Sequence, residues 1–297
     1  MKKGTSILSV FIIFGVLFWS FSDLQPSISK IKSVATTAFS LDNALYHLKN
    51  ISQKTHHVGS REHKNVQQYI VTELEKLGLE TEIQIQTAVN KKWFAATTAE
   101  NIIAKIKGTS KGKSLLLLTH YDSNPHSSLG ASDAGSGVVT ILEGIRAFLA
   151  KNKQPKNDII ILISDAEELG LLGAKAFVEE HELAKNVGLV LNFEARGSGG
   201  PSYMLLETNG KNSQLMTEFM ASKPNFPAAS SLMYSVYKML PNDTDLTVFR
   251  EEADINGFNF AFIGDHFDYH TAQDSYDRLD RESLAHQADY FTTSVAY

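Results

Sequence analysis

The stretch from Leu115 to Asp122 reads LLLLTHYD: four consecutive apolar residues, one threonine, and then a histidine, a tyrosine and an aspartate. An apolar run with no polar face suits a strand covered on both sides, as in a parallel sheet sandwiched between helices. Three more runs share that character: Ile159 to Ile163, Val187 to Leu191 and Phe258 to Ile263. Between them Val138, Ile141, Leu142, Ile145 and Leu149 recur at helical spacing, and Leu171 to Glu180 reads as a second helix. Upstream, Val66, Ile70, Leu74 and Leu77 mark a helix stopped by Gly78. Thr81 to Gln86 then alternates polar and apolar, as a half-buried edge strand should. Strand alternating with helix predicts an α/β fold with a mainly parallel sheet. In such sheets the ligand crevice lies at the carboxyl ends of the strands, so the residues that follow each apolar run are the ones to examine.

The whole chain has 297 residues, 43% hydrophobic and 21% charged, which is globular composition and excludes disordered and low-complexity classes. Asp and Glu outnumber Lys and Arg by 33 to 28, so no basic field is available for a nucleic acid, and no nucleic-acid partner is expected. There is no cysteine, which excludes a thiol nucleophile and a thiolate metal site and leaves His, Asp and Glu to hold any metal.

The amino terminus differs from the rest. Lys2 and Lys3 precede an uncharged run from Gly4 to Ser22 that is close to the ~20 residues needed to span a bilayer. Residues 1–22 are therefore expected to be an uncleaved signal anchor, or a signal peptide if Ser20-Phe21-Ser22 is a cleavage site. The first reading puts the remainder outside the cytoplasm on a membrane tether, and the second makes it a secreted protein. Residues 23–40 carry a proline, several Ser and Thr and no strong period, and are read as a linker. One domain, residues 41–297, follows, with no internal repeat; it stops at Ser294-Val295-Ala296-Tyr297, inside a last helix from about Asp280, as a truncated sequence would.

Each strand end delivers an oxygen or imidazole. The first leads into His120 and Asp122, where the acid is placed to orient the imidazole of a metal-bound histidine. The following loop, GASDAGSG, places Asp133 before a helix, where Asp133 and Ser136 could equally serve as caps. The second ends in Glu167 and Glu168, a pair suited to divided labour, one carboxylate on a metal and one taking a proton. The third ends in Glu194, and the fourth is followed by His266, Tyr269 and His270. Three carboxylates and two imidazoles suit Zn²⁺, with Mn²⁺ or Co²⁺ as alternatives, and are enough for two ions sharing a bridging carboxylate. No phosphate-binding G-x-x-x-x-G-K-[ST] motif accompanies them.

The elements HHVGSREHKNVQQYI, THYD, GASDAGSG, AEELGLLGA, NFEARGSGG, PNDTDLTVF and DYHTAQDS together resemble the double-zinc aminopeptidase family, from about residue 41 to 297. That family includes secreted bacterial aminopeptidases, glutamate carboxypeptidase II and the membrane-bound endoplasmic-reticulum and vacuolar metallopeptidases. The resemblance implies a three-layer α/β/α fold with a mixed, mainly parallel central sheet, of the zinc exopeptidase, phosphorylase/hydrolase-like kind. It implies two Zn²⁺ per chain and a peptide substrate shortened from its N-terminus. Asp133 would bridge the zincs, with Glu168 and His270 completing one metal and His120 and Glu194 the other. Glu167 would be the general base, Asp122 would orient His120, and Tyr269 would stabilise the oxyanion. Glu194 stands where the secreted enzymes have Asp, which points to the membrane-bound branch.

Arg196 is a candidate contact for a substrate carboxylate, or a structural salt-bridge partner. Asp243 and Asp245 read equally well as helix caps, His56, His57 and His126 as surface or loop histidines, and Asp274 as support for the loop bearing His270. The competing activities are a one-zinc acyl transferase resembling glutaminyl cyclase, a carboxypeptidase or dipeptidase of the same fold, and a non-catalytic ectodomain. The sequence leaves the oligomeric state open.

Overall fold

The computed structural model describes residues 2–23, 25–26, 35–210, 212–239 and 243–296. Residues 27–34 of the expected linker, Pro241 and Asn242 of PNDTDLTVF, and Tyr297 lie outside that set. In chain order the elements are α1 (Lys2–Asp23), α2 (Leu41–Ile51), α3 (Arg61–Lys76), β1 (Thr81–Asn90), β2 (Ala95–Ile106), β3 (Ser114–His120), α4 (Gly135–Leu149), β4 (Ile159–Ser164) and α5 (Leu172–Glu180). There follow β5 (Val187–Ala195), β6 (Gly199–Glu207), α6 (Ser213–Ala221), α7 (Ser231–Met239), α8 (Asp245–Ala253), β7 (Gly257–Gly264) and α9 (Arg281–Ala296).

The strands form one mixed sheet in the order β1-β2-β4-β3-β5-β7-β6. Its centre, β4-β3-β5-β7, is parallel, and β1, β2 and β6 flank it antiparallel. The four central strands are the four apolar runs of the sequence. In β3, Leu117 pairs with Ile161 and Leu191 and faces the helical layer of α2, α3, α4 and α9. Its neighbours Leu116 and Leu118 point the other way, with Ile160, Leu162 and Val190, towards α5 and α8. Both faces are covered, so strand alternation in these runs puts one apolar side chain into each layer and leaves no position for a polar one.

All four parallel strands end at the same edge of the sheet, which gathers the residues after β3, β4, β5 and β7 into one crevice. The lead-in packs onto this frame: Phe39 is buried, Ser40 caps α2 by accepting from Asn43 N, and Arg146 of α4 donates to the Ala38 carbonyl at 2.7 Å. The side chains described for α1, residues 6–22, are all exposed. Among the described residues no helix is long and apolar enough to cross a membrane.

The start of α4 lies directly on the sheet. A Cβ at Gly137 would stand 2.3 Å from Thr119 Oγ1 and 2.4 Å from the Phe193 carbonyl oxygen, so only a glycine lets the helix approach β3 and β5 this closely. Gly137→Ala is expected to push α4 outward and cost about 1–3 kcal/mol in urea denaturation. A change below about 0.5 kcal/mol, the level of an uninvolved surface site, would contradict this packing.

Candidate metal centre

Asp133 sits in the β3–α4 loop between two imidazoles. Its Oδ1 is 3.1 Å from His120 Nε2 and its Oδ2 is 3.2 Å from His270 Nε2. Glu168 Oε2 lies 3.1 Å from His270 Nε2 on one side, and Glu194 Oε2 lies 3.8 Å from His120 Nε2 on the other. The five expected ligands therefore converge from four chain segments in two groups that share one carboxylate. Potential ligand atoms of His120, Asp133 and Glu168 lie within 4.8 Å of one another, and so do those of His120, Glu167 and Glu194. The helix-capping alternative for Asp133 fails: the cap position of α4 is Ala134, with no side-chain bond, and Ser136 Oγ donates instead to the Ser132 carbonyl.

The backbone around these groups is held by other acids. Asp122 meets His120 Nδ1 through its carbonyl oxygen at 3.0 Å and its carboxylate at 3.5 Å. The same carboxylate accepts the Glu167 and Glu168 backbone N–H groups at 3.1 and 3.2 Å, so it fixes both the imidazole and the paired glutamates. Just before them Asp165 accepts from Ala166 N and faces His63 Nε2 at 2.7 Å, and its other oxygen accepts from Glu100 N. Asn124 Nδ2 donates to Glu168 Oε2 at 2.8 Å. Asp274 accepts from Ser132 N at 2.6 Å and Asp133 N at 3.2 Å. It thus carries the loop of Asp133, where the sequence pointed to the loop of His270. Ala166 and His270 are both left-handed, with φ of 55° and 56°, conformations that cost non-glycine residues about 1–2 kcal/mol each and that these contacts offset.

Tyr269 stacks on His270 with ring centroids 3.7 Å apart. Burial, reinforced by the Asp133 charge, pushes its phenol well above the usual range, so it stays protonated and able to donate. Arg196 Nη2 donates to the Asp243 carbonyl at 3.2 Å, and its guanidinium lies 5.9 and 5.8 Å from the Tyr237 and Tyr269 ring centres. Its Nη1 is 3.5 Å from the Tyr269 hydroxyl.

Of the two readings of His56, the loop one holds, but the residue is buried: its backbone N–H donates to Ser123 Oγ, and burial lowers its pKa to about 4. The helix-cap reading of Asp245 needs correction. The cap of α8 is Thr244, paired with Thr247, whereas Asp245 is fully buried and accepts from Ser164 Oγ at the end of β4.

A profile of peptidase family M28 matches residues 101–295, the span that contains every one of these ligands. This chain belongs to peptidase family M28. A vacuolar membrane protease of Candida tropicalis is 30% identical over 294 residues, covering 94% of this chain and 31% of that one. The chain spans about a third of the length of the curated relatives it matches. Among solved structures, a leucine aminopeptidase precursor from Bacteroides thetaiotaomicron superimposes with a TM-score of 0.70 at 22% identity, covering 89% of this chain and 99% of that one. Porphyromonas gingivalis glutaminyl cyclase also gives 0.70, at 19% identity, covering 86% and 97%. At these identities the two structures establish the fold alone.

The M28 site is short of positive charge. Glu167, Glu168, Glu194 and Asp245 are all shifted upward, each first by burial. Glu168 Oε1, Glu194 Oε1 and Asp245 Oδ1 are buried without a hydrogen-bond partner. Buried, unpartnered carboxylate oxygens beside two imidazoles fit divalent cations, which would satisfy the oxygens and compensate the charge.

Glu168 and Asp245 are each raised to about 7 by burial, and His270 to about 10 by Asp133 and Glu168 against the opposing effect of burial. A group that binds its proton more tightly when folded contributes stability that is complete below its unfolded pKa and is lost as pH rises through the folded one. The M28 domain in chelator should therefore lose thermal stability from pH 5 to 8, by about 5 °C or more, and zinc should abolish that loss. A melting temperature in chelator that is flat or rises over this range would contradict the charge balance.

Proposed function

We propose that this chain is the catalytic unit of a two-zinc exopeptidase that removes N-terminal residues from peptides. The observation that carries the reading is Asp133 held between His120 and His270, with Glu194 and Glu168 at the outer sides. Asp133, Glu168 and His270 would hold one zinc, and Asp133, His120 and Glu194 the other. Bound there, the metals would supply a water acidic enough to attack at neutral pH and would polarise the scissile carbonyl.

The chain's own groups do the rest. Glu167 is the proton carrier: burial, with Glu194, Asp245 and Glu168 nearby, raises its proton affinity against the pull of His120, so it takes a proton from the attacking water and delivers it to the leaving amine. Tyr269 keeps its phenolic proton and donates to the oxygen that becomes negative. Asp122 keeps His120 and the glutamate turn in register. Arg196 is within reach of this edge of the site as a contact for the peptide.

Glutaminyl cyclase shares the fold as closely as the aminopeptidase does, so the fold does not separate the two activities. Support for hydrolysis comes from the second ligand group, since a one-zinc transferase has no need of both imidazoles beside a shared carboxylate. We further propose membrane attachment through the exposed apolar face of α1, with the catalytic domain extracytoplasmic; support comes from that exposure and from the vacuolar membrane protease relative.

Zinc-loaded protein incubated with free and N-acetylated peptides, followed by mass spectrometry, tests the activity. Stepwise loss of N-terminal residues from the free peptides alone is expected, and Glu167→Gln should slow it by about 10²–10⁴-fold with metal content unchanged. C-terminal trimming, cyclisation of N-terminal Gln, or near-normal turnover by Glu167→Gln would overturn the assignment.

A further inference from the structure

The tip of the β1–β2 hairpin, residues 90–94 (NKKWF), has no role in the metal centre, yet it is fastened to two loops that do. On one side Asn90 Nδ2 donates to the Gly170 carbonyl at 2.9 Å. Gly170 lies two residues beyond Glu168, and its own N–H donates to the Glu167 carbonyl at 2.9 Å. On the other side Lys92 Nζ pairs with Asp243 Oδ2 at 2.5 Å, and the Asp243 carbonyl receives Arg196. The tip therefore joins the glutamate turn to the segment that holds Arg196 beside Tyr269.

Its internal geometry is equally fixed. Asn90 Oδ1 accepts the backbone N–H groups of Lys92 and Trp93 at 2.9 and 3.2 Å, closing the turn. Gly170, at φ +112°, leaves room for Trp93: a Cβ added there would stand 3.0 Å from the Trp93 Cβ. Phe94 is left-handed at φ +50° and 96% exposed, and Trp93 is 43% exposed. A phenylalanine in a conformation that disfavours side chains, with almost no burial in return, is costly to the free protein. Such a residue is explained by a ligand that covers it.

We propose that this tip is a specificity-determining edge of the active site, on which Trp93 and Phe94 receive a large apolar or aromatic side chain of the peptide next to the scissile bond. The occupant is the substrate rather than a lipid surface because both ties of the tip, Asn90 to Gly170 and Lys92 to Asp243, run to segments that border the metal centre. The inference rests on the peptidase reading and names the substrate class of that same site: peptides carrying Phe, Tyr, Trp or Leu beside the cleaved bond.

The test uses the full chain loaded with zinc and a panel of free peptides whose first and second residues are Phe, Leu, Ala or Gly. Wild type is compared with the double variant Trp93→Ala/Phe94→Ala, with Lys92→Ala, and with Tyr46→Ala, an exposed aromatic on α2 that serves as control. In the double variant the kcat/KM ratio of Phe over Ala peptides should fall by about ten-fold or more, mainly through KM, with kcat on Ala peptides kept. Lys92→Ala should lower the ratio by a smaller factor, and Tyr46→Ala should leave it unchanged. An unchanged ratio in the double variant, or an equal loss on every peptide, overturns the inference and leaves the peptidase reading standing. If the double variant instead loses co-sedimentation with phosphatidylcholine/phosphatidylserine vesicles at an unchanged ratio, the tip is a lipid contact and the inference is wrong. Wild type that cleaves no peptide on the panel defeats the peptidase reading itself, and this inference with it.

Discussion

A single buried carboxylate shared by two imidazoles sets the terms for this structure. Asp133 cannot keep its charge away from water unless that charge is answered, and His120 and His270 answer it from opposite sides. Bringing those two histidines to one aspartate requires the end of β3 and the loop after β7 to stand side by side, with β5 and its Glu194 between them. A sheet with four parallel strands at its centre does this without special arrangement, since all four chains leave at the same edge. Buried charge near such a point is costly unless a cation takes part, and oxygens of Glu168, Glu194 and Asp245 are buried here without hydrogen-bond partners, as groups left for a cation would be.

Rigidity around the centre comes from acids that are not themselves candidate ligands. Asp122 joins His120 to the glutamate turn, Asp165 secures the chain just before that turn, and Asp274 holds the Asp133 loop from the far side of the crevice. Each uses backbone N–H groups as its partners, so the ligand side chains are aimed by the main chain instead of by long, flexible contacts. This suits a site whose function depends on geometry to a fraction of an ångström. The left-handed Ala166 and His270 are where that aim departs from relaxed backbone geometry. The hairpin tip extends the same frame outward, from the glutamate turn to the segment beside Arg196.

Much of this was legible in the sequence because the strands that position the site are fully apolar. LLLL, IIILI and the runs at Val187 and Phe258 stand out from their surroundings, and the candidate ligands lie at or within a few residues of their ends, apart from Asp133 in the loop after β3 and His270 in the loop after β7. Of the flanking strands only β1 was legible, from the alternation of Thr81 to Gln86; β2 opens with AATTAEN and β6 with GGPSY, polar stretches whose pairing partners decide their structure. Asp245, Asp274 and Asn124 act across distances of 44 to 146 residues in the chain, so no local pattern could distinguish them from caps or loop residues. His56 sits in a polar stretch that reads as surface, yet tertiary packing buries it. At the amino terminus the apolar run forms a helix, α1, whose described side chains are all exposed.

The central claim is that Asp133 is shared by two metals, and zinc titration of the chelator-treated protein, read as bound zinc per chain, tests it most directly. The account predicts two zincs for the wild type, one for His270→Ala, and loss of both sites for Asp133→Ala, because one carboxylate serves each. A single zinc in the wild type, or two retained by Asp133→Ala, would contradict it.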